Sequence, residues 1–213
     1  MLEFTDVRKS YGASPVLPVL EITSLRLNAG LYWLQGANGS GKTTLLRIVS
    51  GILPFEGDIR LLGHSLRKEP VAYRRLVAWA DAEPLYPGFL TGYDLLDFYG
   101  SILHPEPQQA DRLCRRLGIG PWIGTRTAGW SSGMTKKVSL LLALLGRPAL
   151  VALDEPFITL DEAGIIALQA LIGEYHRLYG TAFLLSSHQE ITGDLLPFAN
   201  RLKLIDRSIQ LTG

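Results

Sequence analysis

The chain has 213 residues, 47% of them hydrophobic and 19% charged, with a formal net charge of +1. That size fits one large domain, or one domain carrying an inserted lobe, and the near-neutral balance supplies no basic field to hold nucleic acid, so none is expected as a partner. A single cysteine, Cys114, excludes an intramolecular disulfide and a cysteine-built zinc site.

From the N-terminus, LEFTDV, VLEITSLRL and LYWLQ read as strands, short apolar pieces separated by Gly, Pro and Asn. The opening MLEFTDVRKSYG lacks the basic-then-apolar pattern of a secretory leader. GANGSGKTTLLRIVSG then forms a glycine-rich turn opening into a short helix that Gly51 can close. DIRLL and LVAWA add two more strands.

At Thr91 the period becomes helical. Thr91 and Asp94 make a capping-box pattern, Leu95, Leu96, Phe98, Tyr99 and Ile102 follow, and Pro105 ends the run. A second helix is expected from about Glu106 to Leu117, stopped by Gly118. On it, Cys114 shares helical spacing with Ala110, Leu113 and Leu117 and reads as a small core residue. A third helix is expected from Ser132. Its apolar run Val138 to Leu145 is far too short to span a membrane and is stopped by Arg147 and Pro148. The expected location is therefore cytoplasmic, with any membrane role exercised through a partner.

LVALDEP follows, an apolar strand ending in two carboxylates, then the helix DEAGIIALQALIGEYHRLYG, the strand AFLLSSH and a β-like tail, RLKLIDRSIQL. The adjacent pairs Arg74–Arg75 and Lys136–Lys137 read as solvated helix faces. Apolar strands alternating with helices predict an α/β fold: a P-loop NTPase core with a mostly parallel sheet, an N-terminal antiparallel β part and an inserted α-helical subdomain. The core is placed at 1–84 and 136–213, and the helical part at 85–135.

Gly36, Ala37, Asn38, Gly39, Ser40, Gly41, Lys42 and Thr43 match G-x-x-x-x-G-K-[ST] at every fixed position, between a strand and a helix. The glycines let the backbone turn tightly and aim N–H groups at phosphate oxygens, and the new helix adds its positive end. Lys42 would reach the β- and γ-phosphates. The Thr43 hydroxyl would ligate Mg²⁺, with Thr44 beside it. Asp154 and Glu155 end an apolar strand at the sheet edge where ligands of such sheets bind. Asp154 would hold Mg²⁺, and Glu155 would polarise an attacking water as general base.

With those pieces present, Trp130-Ser131-Ser132-Gly133-Met134 becomes readable. The chain resembles, over nearly its whole length, the nucleotide-binding domain of ATP-binding cassette (ABC) ATPases. Ser131 matches the serine and Gly133 the second glycine of that family's signature pentapeptide, while Trp130, Ser132 and Met134 depart from its commonest form and look like export-type variants.

The resemblance implies that this segment binds the terminal phosphate of ATP held by a second ABC ATPase domain, in a homodimer or heterodimer. It places Tyr11 against adenine, Asp161 in the dimer-contact loop, and His188 as the switch residue at the γ-phosphate. One position departs: where the family carries a metal-sensing glutamine, this chain has Asp81, a shorter and charged candidate Mg²⁺ ligand, with Glu83 nearby. Leu85, Tyr86 and Phe89 in the following loop are where an integral membrane transporter subunit would dock. The implied protein is an ATPase peripheral to the cytoplasmic face of the membrane, with two alternatives, a soluble cofactor-assembly ATPase and a slow nucleotide switch. The short stretch after His188 implies no added C-terminal regulatory domain.

Overall fold

The computed structural model describes residues 1–12, 17–187 and 199–212. Two sheets organise them. β1 (Leu2–Lys9) is the centre of the first, pairing antiparallel with β2 (Leu20–Leu27) and β4 (Glu56–Leu61). The two-residue β5 (His64–Ser65) closes its far edge.

In β1 the alternation Leu2, Phe4 is broken so that Val7, not Asp6, is buried. A register shift between Thr5 and Arg8 makes the change, with Asp6 at φ 47°. The partner strand meets this bulge with Gly57, where a Cβ would lie 2.2 Å from the Asp6 carbonyl oxygen, so only glycine fits.

The second sheet has the order β10-β9-β3-β8-β7-β6. β3 (Leu31–Gln35), β6 (Val77–Ala80), β7 (Leu150–Leu153), β8 (Ala182–Ser187) and β9 (Asn200–Ile205) run parallel. β10 (Ser208–Thr212) returns antiparallel to β9. Asp206 and Arg207, with φ 47° and 67°, form the tight turn between them, so the expected β-like tail is a hairpin.

Helices cover both faces of this sheet, which is why its inner strands are apolar at every position. Along β7, Leu150 and Ala152 join one core while Val151 and Leu153 join the other. The first core contains α1 (Lys42–Val49) and the antiparallel sheet. The second contains α3 (Gly92–Leu103), α4 (Gln109–Leu117), α5 (Ser132–Leu144) and α6 (Glu162–Tyr179). Leu95, Leu113 and Leu117 of the helical segment share that core with Val138, Leu168 and Phe183. Truncating any one of these leucines to alanine would cost about 2–5 kcal/mol.

The Thr91–Asp94 capping box forms as the sequence indicates, and Cys114 is buried. Differences are local. α4 starts at Gln109, after Pro105 and Pro107, with Gln108 left-handed at its cap. The five-residue α2 (Pro70–Arg74), with proline at its start, was not anticipated. Among the described residues no helix is long and apolar enough to cross a membrane.

Candidate functional site

The parallel strands end on one edge, and their next residues meet there. After β3 comes the glycine loop. Gly39 and Gly41 have φ 76° and 107°, conformations that a side chain would strain. A Cβ on Gly36 would fall 2.6 Å from the Ser40 hydroxyl oxygen, and Ser40 Oγ is itself buried without a hydrogen-bond partner among the described residues. Gly41 is the left-handed cap of α1 and no side chain caps this helix, so its first N–H groups face the loop. Lys42, nearly buried, curls over the loop and donates from Nζ to the carbonyls of Gly36 (2.7 Å) and Ala37 (3.1 Å). Ala37, Asn38 and Gly39 form the exposed rim.

Tyr11 lies beside this helix start. Its half-exposed ring is crossed by the Lys9 ammonium at 5.0 Å, and its hydroxyl bonds the Thr44 hydroxyl at 3.1 Å. A flat aromatic face is thus anchored next to the loop.

β7 delivers Asp154 and Glu155, and β8 lies beside it in register, Leu153 opposite Leu185. The next pair across is therefore Asp154 and Ser186. The Ser186 hydroxyl donates to Asp154 Oδ1 at 2.5 Å and accepts the Glu155 N–H at 3.1 Å. Asp154 is 2% exposed, and its Oδ2 has no hydrogen-bond partner among the described residues. A buried carboxylate oxygen left alone is costly unless a cation or water meets it. Thr43, Arg47, Asp81, Glu83, Tyr86 and Asp154 line one cavity of about 600 Å³. Among the described residues no cluster of three or more His, Cys, Asp or Glu could hold a metal alone. This donor set fits an ion such as Mg²⁺, which keeps most of its shell for phosphates and water.

Asp81 reaches this cavity from the end of β6. Its Oδ2 is ion-paired with Arg47 Nη2 at 3.0 Å, one turn beyond Thr43 on α1, while Oδ1 receives a 3.5 Å hydrogen bond from the Glu83 N–H. Sequence reasoning missed Arg47, although its spacing of four from Thr43 puts both on one helix face.

Lys136 overturns one expectation. It is fully buried, not on a solvated face, whereas Arg74 and Arg75 are exposed as expected. Its ammonium donates to the carbonyls of Asp81 (2.8 Å), Ala82 (3.1 Å) and Asp154 (2.9 Å). Burial pulls its pKa down to about 8, against the pull of Asp154, Asp81, Glu155 and Glu83. Helical phase held the signal: Lys136 lies four before Leu140, on the buried stripe of α5.

The segment 130–134 lies at the start of α5, outside that cavity's lining. Ser131 caps the helix, its hydroxyl accepting the Met134 N–H at 3.2 Å, and Met134 Sδ accepts the Ser131 N–H at 3.5 Å. Ser131 and Ser132 are exposed. Gly133 is pressed on the loop after β7: a Cβ there would meet the Thr159 carbonyl oxygen at 2.7 Å. Asp161 caps α6 through the Gly164 N–H and is bound by Lys137 Nζ at 2.8 Å, which holds its carboxyl below the usual value. Thus Thr43 of the expected phosphate loop, Asp154 and Asp81 meet at one cavity, with Glu155 following Asp154, while Ser131 and Asp161 lie exposed in a second group with Gly133. His188 lies outside the described residues. In the loop after β6, Leu85 is 92% and Phe89 73% exposed. Tyr86 instead turns inward, burial pushing its hydroxyl up to about 12.

A family model described as ABC transporter matches residues 20–158. The chain is 34% identical over 178 residues to the cytochrome c biogenesis ATP-binding export protein CcmA of Legionella pneumophila (strain Lens), covering 82% of this chain and 87% of that one. It is 29% identical over 214 residues to the ABC transporter ATP-binding protein YhcH of Bacillus subtilis (strain 168), covering 97% and 69%. A solved ATP binding subunit of an ABC transporter superposes with a TM-score of 0.87 at 27% identity, covering 100% of this chain and 89% of the other.

Proposed function

The chain belongs to the ABC transporter family of ATP-hydrolysing domains, and from that premise we propose that it powers export as one of a pair of cassettes docked on a separate membrane-spanning subunit. The observation that carries the proposal is the division of its candidate residues. One group faces a cavity of this chain, and the other, around Ser131, faces outward at a helix N-terminus. A second cassette supplying ATP to that outward group accounts for both.

In this reading the loop from Gly36 to Thr43 cradles the phosphates, Lys42 leaves its carbonyl partners for the β- and γ-phosphate oxygens, and Tyr11 stacks on adenine. Thr43 and Asp154 would hold Mg²⁺, with Asp81 at the rim through Oδ1. Bound there, the ion supplies positive charge beside the β- and γ-phosphates. Glu155 accepts the proton of the attacking water, and His188 is assigned to the γ-phosphate. Ser131 and Gly133 serve the partner's nucleotide, and Asp161, tied to Lys137, shapes the contact loop. Leu85 and Phe89 offer apolar surface to the membrane subunit, which makes the protein peripheral to the cytoplasmic face. The name of the Legionella relative supports the direction of transport and brings the assembly of a cofactor protein into view. The cargo of this chain belongs to its membrane subunit.

Steady-state phosphate release tests the chemistry. Glu155→Gln should lower kcat by about 100-fold or more while leaving ATP binding in place. Wild-type turnover too slow to measure would support the slow-switch alternative instead. Affinity purification from detergent-solubilised membranes tests the partner. A stoichiometric multi-span protein is expected, and soluble partners only would favour the assembly ATPase.

A further inference from the structure

The chemistry above gives work to Asp154 and Glu155 and none to the residue that touches both. Ser186 is fully buried on β8. Side chains alternate along that strand, so Leu185 joins the helical core and Ser186 shares the face of Leu184, towards α1 and the glycine loop. Its single proton goes to Asp154 Oδ1, and a lone pair takes the Glu155 N–H.

Glu155 needs such a hold. Its φ is 45°, in the left-handed region that a glutamate seldom adopts and that persists only when the surroundings impose it. The peptide unit joining Asp154 to Glu155 is gripped at both ends. Its carbonyl accepts from Lys136 Nζ at 2.9 Å and its N–H donates to Ser186 Oγ at 3.1 Å. The Ser186 bond also distinguishes the two Asp154 oxygens, occupying Oδ1 and leaving Oδ2 as the one without a partner among the described residues.

We propose that Ser186 is a positioning residue for ATP hydrolysis: its one hydroxyl sets the carboxylate of Asp154, leaving Oδ2 for the metal, and fixes the left-handed backbone that aims Glu155. The inference rests on the roles assigned to Asp154 and Glu155 above. A hydroxyl is required because one atom must donate and accept at once. Alanine does neither, a thiol does both weakly, and threonine does both at the expense of a methyl group.

The test compares Ser186→Ala, Ser186→Cys and Ser186→Thr with wild type as full chains. It reads kcat, KM for ATP, the Mg²⁺ concentration that half-saturates binding of a fluorescent ATP analogue, and thermal melting without nucleotide. Loss of an outer-sphere partner typically lowers metal affinity or activity about 10- to 100-fold. Ser186→Ala should therefore lose at least about tenfold in kcat with KM within about twofold, and need more Mg²⁺ for binding. Ser186→Thr should recover kcat to within about threefold. If Ser186→Ala does not fold, Ser186→Cys, similar in size, carries the same expectation against Ser186→Thr. Wild-type kcat and Mg²⁺ dependence in the alanine or cysteine variant would overturn the proposal. So would equal impairment of the threonine variant, which would reduce Ser186 to a packing residue. Glu155→Gln serves as control: if it still hydrolyses ATP, the fault lies in the assignment of Glu155, and if it is inactive while Ser186→Ala is normal, the fault lies here.

Discussion

The two helix N-termini to which the proposed function assigns phosphate are built in opposite ways. At α1 the cap is a left-handed glycine with no side chain to close the helix, the helix's own first residue, Lys42, curls back over the loop, and a buried carboxylate stands at the end of β7. At α5 the cap is Ser131, whose hydroxyl already serves the Met134 N–H, and its neighbours Ser132 and Gly129 are exposed. In the proposed reading the first is a site finished inside one chain. The second is capped by its own residues and lies exposed, as half of a site completed by another molecule has to be. A helix start alone does not make a phosphate site; what stands opposite it decides.

The sharpest way to break this comparison is Ser131→Asp. Aspartate caps a helix as well as serine does, so the fold should keep its melting temperature, but it sets a negative charge against the partner's phosphate. Light scattering with MgATP should then show no dimer, with ATP binding within about twofold of wild type, since like charges oppose closure without touching the α1 loop. A variant that dimerises normally removes Ser131 from the proposed trans site.

Lys42→Ala probes the other helix start. A charged hydrogen-bond donor is worth about 1.5–3 kcal/mol, so affinity for a fluorescent ATP analogue should fall about 10- to 100-fold. Unchanged affinity would mean that the α1 loop is not the nucleotide cradle.

Gly133→Ala tests whether the second group is set by packing within the chain. Its Cβ would meet the Thr159 carbonyl oxygen at 2.7 Å, so the loop must shift, at about 1–3 kcal/mol in denaturant unfolding. A neutral result would show that the contact with the loop after β7 yields easily. The smallest effect is expected from Arg47→Met. Its ion pair with Asp81 is partly exposed, at 39% and 29%, which limits the loss to about 1 kcal/mol or less. A larger loss would show that the linker after β6 depends on this pair for its place beside α1.

Much of the site was legible because its parts follow one another along the chain. The run from Gly36 to Thr43 carries its conformation in its glycines, and Asp154 with Glu155 is marked by the apolar strand before it. The Thr91–Asp94 cap and the core place of Cys114 followed from local spacing in the same way. Ser186, Arg47 and Lys136 escaped because nothing in their own neighbourhoods is unusual. A serine ending a strand, an arginine on a helix and a lysine beside another lysine all have ordinary solvent-facing readings. Lys136 was misread for this reason: its neighbour Lys137 is drawn to Asp161, while Lys136 turns inward and ties three carbonyls, of Asp81, Ala82 and Asp154, together.

The sequence by itself determined the α/β alternation, the phosphate loop, the acidic strand end and the family, because each rests on short-range backbone preference or on a motif contiguous in the chain. Only the tertiary structure decided which groups meet. Register placed Ser186 opposite Asp154, the sheet order brought Asp81 to Arg47, and packing of α5 drove Lys136 inside. These partners are separated by 32, 34 and 18 to 55 residues, and their pairing depends on strand order and helix docking, which local composition does not encode.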